Sequence, residues 1–261
     1  MFLWQKNEGE IINYQPAFNQ LMDIFITPEV KRRQEAHELE TPLNLRSAQV
    51  IFYPDGRKPQ VRINSEVKGI AMVRLKEGIS LIPGDPIFEN QLLGLEWINL
   101  DEDTDLDCGH ATIYRINGVW TLTFDFRYNK ALASKHITAA KEFYEVAAYS
   151  FEQKKLSPFV DNLYSAAELL AKATLLLMPD IELRKKASHA SINAGYNKFA
   201  NLGNVKPEYR DALNKLHGRR SSARYLQGDS ISLTDGEARS YLDTVKAMIE
   251  DVEQSIKPPI E

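Results

Sequence analysis

The chain has 261 residues, is 43% hydrophobic and 26% charged, and carries a formal net charge of −4. Those values exclude a wholly disordered chain, a mini-protein held by staples, and a basic protein that coats nucleic acid along its whole length. A single cysteine, Cys108, excludes an internal disulfide and a cysteine-built zinc site, and points to a reducing compartment.

In chain order, the first 45 residues are the least patterned. Pro16 to Ile26 and Glu29 to Leu39 each allow a short helix. Short β-like runs follow between turn residues. Ala48 to Tyr53 runs into Pro54-Asp55-Gly56. Gln60 to Ile63 and Gly69 to Leu75 alternate apolar and polar side chains, and Ile79 to Ile82 runs into Pro83-Gly84-Asp85-Pro86. Asn117-Gly118 joins Ala111–Ile116 to Val119–Phe126. Asn-Gly supplies the two positive φ angles of a type I′ turn, so a β-hairpin is predicted. Its second strand sets Trp120, Leu122, Phe124 and Phe126 against Thr121, Thr123 and Asp125, which predicts one buried face and one solvated face. Trp4, Trp97 and Trp120 are expected in the core.

From about residue 130 the grammar is helical. Ile137, Ala140, Tyr144, Ala147 and Phe151 fall on one stripe. Ser157-Pro158 reads as an N-cap followed by proline. Beyond it Phe159, Leu163, Ala166, Leu170, Ala173 and Leu177 repeat at steps of four and three. Further helices are predicted over Ala187 to Asn201, ending near Gly203, and from Pro207 toward Tyr225. Thr234-Asp235-Gly236-Glu237 reads as a capping box opening a last helix, which Pro258-Pro259 ends. The expected fold class is α+β. A β-rich domain (1–130), with short helices near its start, precedes an antiparallel bundle of about five helices (131–257).

No segment predicts a membrane span or an export signal. The most apolar stretch, Leu163 to Met178, carries Glu168 and Lys172. A cytoplasmic protein is expected. Asp101-Glu102-Asp103-Thr104-Asp105-Leu106-Asp107 resembles a cation loop but lacks the glycine and glutamate that an EF-hand needs. Cys108 and His110 do not complete a metal set. No metal and no cofactor are expected.

Charge is uneven. Residues 1–130 hold 14 basic and 19 acidic side chains, and residues 131–261 hold 18 and 17. Ten basic residues lie between Arg184 and Arg224, with only Glu208 and Asp211 among them. Such a cluster is the electrostatic footprint of a polyanion site. The structural alternative is a solvated helix surface paired with acids on neighbouring helices.

The second half resembles the HEPN domain over residues 136–256. The resemblance rests on Ser165-Ala166-Ala167-Glu168-Leu169-Leu170-Ala171-Lys172-Ala173, on His189, on Leu213 to Leu216 with Arg219-Arg220 and Ala223-Arg224-Tyr225, and on Thr234 to Ala238. It implies a helical bundle, often dimeric, found in bacterial toxin–antitoxin and antiphage systems, where many members are metal-independent ribonucleases. The family's motif is an Arg followed four to six residues later by a His, often with a Tyr soon after. Here Arg219 and Tyr225 match, and Arg224 stands where the His is expected. Arginine binds phosphate but cannot accept a proton. The histidine must therefore come from elsewhere.

Two pairs satisfy a loose Arg-to-His spacing in this half: Arg210 with His217, on one helix face, and Arg184 with His189, which needs a bend between them. Arg32 and His37 meet the same spacing in the first domain. The candidate catalytic residues are His217, His189, Arg210 and Arg184. The candidate phosphate or RNA ligands are Arg219, Arg220, Arg224, Tyr225 and Lys215. Each has a structural alternative: His217 could sit at a helix end near Gly218, His189 at a helix start, and Tyr225 in the core. The implied function is RNA binding with metal-independent endoribonuclease chemistry, in a homodimer, in a bacterial defence or toxin-type system. The alternative is a non-catalytic dimerisation or adaptor module whose N-terminal domain binds a protein or ligand partner.

Overall fold

The computed structural model describes residues 15–101, 107–225 and 232–256. They form two compact units that divide at Tyr128 and Asn129. Trp4, most of the acidic run after Asp101, and Pro258-Pro259 lie outside the described residues.

The first unit begins with α1 (Gln15–Leu21), which continues through a π-helical stretch (Met22–Ile26) into α2 (Thr27–Glu35). A four-stranded antiparallel sheet follows, built from β1 (Ser47–Phe52), β2 (Gln60–Ile63), β5 (Gly109–Ile116) and β6 (Val119–Asp125) in the order β2-β1-β5-β6. A second antiparallel pair joins β3 (Ile70–Leu75) to β4 (Leu92–Asn99). The run Ile79 to Ile82 forms no strand. The partner of β3 is instead β4, whose Gly94, Glu96 and Asn99 weaken its apolar alternation.

The hairpin turn is as the sequence requires: φ is +49° at Asn117 and +82° at Gly118. Register places Ala48, Ile63 and Ile113 together on one sheet face, with Val50, Val61 and Ala111 beside them. Leu21, Ile26, Phe18 and Phe25 from the helical segment cover this face, with Phe25 edge-on to Phe52 and Phe18 tilted against Trp120. The opposite face is not solvated as the alternation predicts. Gln49, His110 and Thr112 are fully buried there, and Asp125 nearly so. Burial demands partners. Gln49 Nε2 donates to Thr112 Oγ1, His110 Nδ1 lies 3.1 Å from the same hydroxyl, and Asp125 accepts two hydrogen bonds from the Arg127 guanidinium.

The second unit is helical: α3 (Lys130–Glu152), α4 (Leu156–Leu176), α5 (Ile181–Arg184), α6 (His189–Asn201), α7 (Pro207–Tyr225) and α8 (Asp235–Ile256). The short α5 has no apolar periodicity of its own. Asp180 caps it, accepting from the amides of Glu182 and Leu183. Ser157 is not a cap. Helix α4 starts at Leu156, so Ser157 and Pro158 lie inside its first turn, where a proline lacks no needed donor. Thr234 and Glu237 form the predicted capping box, each side chain bonding the other's backbone amide.

Helix α4 is the central element. It packs on α3, α7, α6 and α8. Its apolar seam, from Phe159 through Leu163, Ala166 and Leu170 to Ala173, is completely buried. Burial of leucine and phenylalanine side chains there contributes roughly 1.5–3 kcal/mol each. No helix among the described residues is long and apolar enough to cross a membrane.

Candidate functional site

The seam is only one side of α4. Asp161, Tyr164, Glu168 and Lys172 recur at steps of three, four and four, so they form a second, polar stripe along the same helix. The packing of α7 and α6 against α4 decides what that stripe meets.

From α7 come Arg220, Arg224 and His217. Arg220 Nε lies 3.3 Å from Asp161 Oδ1, and its Cζ stands 4.9 Å from the centroid of the Tyr164 ring. Arg224 Nη1 is 3.8 Å from the same Asp161 oxygen. His217 Nδ1 is 3.2 Å from the Tyr164 hydroxyl. From the first turn of α6 comes His189, whose Nδ1 lies 2.6 Å from the Glu168 carboxylate. Tyr164 closes the chain by donating its O–H to Glu168 Oε1 at 2.7 Å. The result is one continuous hydrogen-bonded line: His217, Tyr164, Glu168, His189.

Both imidazoles flank one phenol ring, with centroids 5.4 Å (His217) and 6.5 Å (His189) from that of Tyr164. The middle of the line is buried and its ends are open. Tyr164 is fully covered, the Glu168 side chain is 12% exposed, and that of His189 is 59% exposed. Burial, and then the adjacent Glu168 carboxylate, push the Tyr164 phenol far above its ordinary pKa. It therefore stays a neutral donor. The Glu168 carboxylate engages Nδ1 of His189, which leaves Nε2 as the ring nitrogen outside this line.

This arrangement sorts the predicted site residues. His189, His217, Arg220 and Arg224 come together around Asp161, Tyr164 and Glu168. Arg219 does not join them. It points the other way, donating to the Tyr241 hydroxyl at 2.7 Å and pairing with Glu237 at 3.5 Å on α8. The three arginines thus form no single exposed clamp. A step of one residue turns a helix by 100°, which separates Arg219 from Arg220. Arg210 is tied to Asp211 and to Asn201 near the other end of α7, two turns from His217. Arg184 is buried at the end of α5. Lys215 is exposed on α7, and Tyr225 ends that helix, its side chain lying outside the described residues. His217 is no helix-end residue, since α7 runs on through Gly218 to Tyr225.

Sequence reading missed Asp161 and Tyr164, and gave Glu168 no role beyond the resemblance. A signal was available: an acid, a tyrosine and a second acid at helical spacing, opposite the seam of a helix otherwise built from Leu and Ala.

Beside this line lies a cavity of about 330 Å³, lined by His136 of α3, Glu168, Leu169 and Lys172 of α4, and Ala187, His189 and Ile192 at the start of α6. Lys172 Nζ donates to the carbonyl oxygens of Arg184, at 2.7 Å, and of Lys186. Burial lowers the pKa of Lys172. Burial, and then the positive charge of Lys172, lower that of His136. Among the described residues no group of three His, Cys, Asp or Glu side chains is placed to hold a metal ion.

The family comparison agrees with the packing. The HEPN domain model matches residues 133–255, from the first turn of α3 to the last of α8. The comparison with curated proteins gave no match. The C-terminal half of the chain, the helical unit that carries the His217–Tyr164–Glu168–His189 line, is a HEPN domain.

Proposed function

We propose that this HEPN domain binds RNA and cleaves it without a metal, with His189 as the general base, His217 as the general acid, and Arg220 and Arg224 holding the scissile phosphate. The observation that carries this reading is the line itself. Two imidazoles are held by their Nδ1 atoms on either side of one buried tyrosine, with a guanidinium over the ring.

The chemistry needs those parts. His189 Nε2 takes the proton of a ribose 2′-OH. The 2′ oxygen attacks phosphorus, giving a 2′,3′-cyclic phosphate. The P–O5′ bond breaks, and protonated His217 returns a proton to the leaving oxygen. The arginines stabilise the extra charge on the phosphoryl oxygens. Lys215, exposed on α7, extends the path for the backbone. By its resemblance, the chain takes the setting of its family: a cytoplasmic homodimer of the bacterial defence or toxin type.

The test is cleavage of a labelled structured RNA in EDTA. The wild-type chain should cut. His189→Ala and His217→Ala should each lose roughly 10²–10⁴-fold in rate. Arg220→Ala should weaken binding and flatten its salt dependence. Arg219→Ala should do far less, since its guanidinium is engaged on α8. No cleavage under any of these conditions would overturn the reading.

A second reading has its own support. Arg224 occupies the position where the motif has a histidine, and Asp161 already faces two of the arginines. In the first unit a groove of about 570 Å³ is lined by Phe25, Pro28, Arg32, Arg33 and Lys58. On this reading the helical unit is a non-catalytic adaptor and the groove takes a protein or ligand partner. Binding of RNA without cleavage, or no binding at all, would favour it.

A further inference from the structure

We propose that the cavity bounded by α3, α4 and α6 is a nucleobase pocket that selects a keto base, uracil or guanine, next to the bond that is cut. The proposal deepens the RNA reading above and rests on it.

The cavity's size, about 330 Å³, falls in the range that takes small organic ligands, about 300–1,000 Å³. Its walls are mixed. Leu169, Ala187 and Ile192 offer apolar surface to the faces of a flat ring. Its polar lining is His136, Glu168, Lys172 and His189. Glu168 and His189 are engaged with each other, so His136 and Lys172 are the groups that can meet a ligand. His136 is half-buried, and among the described residues no side chain or backbone group hydrogen-bonds to its ring. Held neutral by burial and by Lys172, it presents one donor and one acceptor. Lys172 is clamped by two backbone carbonyls, which fixes the ammonium and leaves one N–H uncommitted.

That set selects a base over a phosphate. Glu168 is part of the wall, and its carboxylate would repel a second anion. The cationic groups suited to phosphate, Arg220 and Arg224, pair with Asp161, about three turns before Lys172 on α4, and do not line the cavity. The set also selects among bases. An ammonium only donates, so it needs a carbonyl oxygen or an equivalent acceptor. Uracil offers O4 and guanine offers O6. Adenine and cytosine carry an amino group at the corresponding position, and an N–H aimed at an ammonium leaves both unsatisfied. His189 belongs both to the pocket and to the polar line, so a base seated here lies beside the proposed cleavage chemistry.

The test uses the full chain and the four nucleoside 5′-monophosphates, with inorganic phosphate as control. The imidazole NMR signals of His136 and His189 are followed in each titration. UMP and GMP should shift His136, and AMP and CMP should need roughly tenfold higher concentration. Lys172→Met keeps the stem and removes the donor, so it should abolish the preference. His136→Gln leaves Lys172 in place and should weaken all four nucleotides, which keeps the test open if Lys172→Met fails to fold. Equal response to all four nucleotides, or a response to phosphate alone of the same size, would overturn the pocket. So would a cleavage map with no preference for U or G, and that result would leave the cleavage reading intact. Keto-selective binding by a chain that never cuts RNA would overturn cleavage and keep the pocket.

Discussion

The two units bury polar groups in opposite ways. In the β unit the networks around Gln49 and Arg33 end on other protein groups. Gln49 spends its amide on Thr112 and on the carbonyl of Lys68, and Arg33 is shared between Glu29, Glu66 and the carbonyl of Val61. In the helical unit the buried pair Tyr164 and Glu168 leads outward to histidines on both sides. A closed network satisfies groups that the sheet has already buried. An open one is not needed for that, because the other side of α4 supplies the core. Apolar residues at 164 and 168 would fill the space without demanding partners. On the proposed reading the polar stripe of α4 serves the groups at its ends, whereas the Gln49 and Arg33 networks satisfy groups that the fold buries.

The largest effect expected from this contrast is on stability. Leu163 is fully buried in the bundle core and precedes Tyr164 on α4. Leu163→Ala should cost the helical unit about 2–5 kcal/mol, from lost transfer energy plus the cavity left behind. Calorimetry should show the helical transition falling while the β-unit transition stays in place. One transition that moves as a whole would remove the basis for treating the units separately.

A smaller and more selective effect is expected at Tyr164. Tyr164→Phe keeps the ring and its contacts and deletes the hydroxyl that links Glu168 to His217. Glu168 retains His189. The stability cost should be about 1 kcal/mol, the usual net value of one hydrogen bond. The diagnostic readout is the ring nitrogens. In the wild-type chain, ¹⁵N shifts should show His217 protonated at Nδ1, facing the phenol oxygen. In the variant that preference should go, while His189 keeps its own. Loss at both rings would mean that the line acts as scaffold.

Much of this fold was legible and its site only partly. The Asn117-Gly118 hairpin, the bounds of α7 and the α4 seam follow from turn chemistry and apolar period, which are local. The β3 partner did not follow, because β4 is identified by a non-local pairing and interrupted by Gly94. Nor did the burial of Gln49, His110 and Thr112, since alternation shows which residues share a face but not what covers it. At the site, His189 and His217 were named from the family resemblance and its loose Arg-to-His spacing, together with the need for a proton-transfer group. Their separate pairing with arginines by spacing misled, for their real link is Tyr164 on another helix. The same limit explains Arg219 and Arg220. Neighbours in sequence, they answer to different helices.

The smallest effect separates the units by pH. In the helical unit the pKa of His136 is lowered from its ordinary 6.5 by burial and by Lys172, with Glu168 and His189 the other ionisable groups lining the cavity. Below 6.5 the unfolded chain takes up a proton that the folded one refuses, so stability falls as pH drops through that window and is fully present above it. In the β unit the Glu29 pKa is lowered from 4.5 to about 2, first by its hydrogen bond to Arg32. Its contribution is present above 4.5 and disappears as pH falls toward 2. The helical unit should therefore soften first on acidification and the β unit only in stronger acid. Urea midpoints followed by helical and aromatic signals across both windows would check this, with His136→Gln expected to flatten the first window and Glu29→Gln the second. A first window unchanged in His136→Gln would show that other groups set the acid response of the bundle.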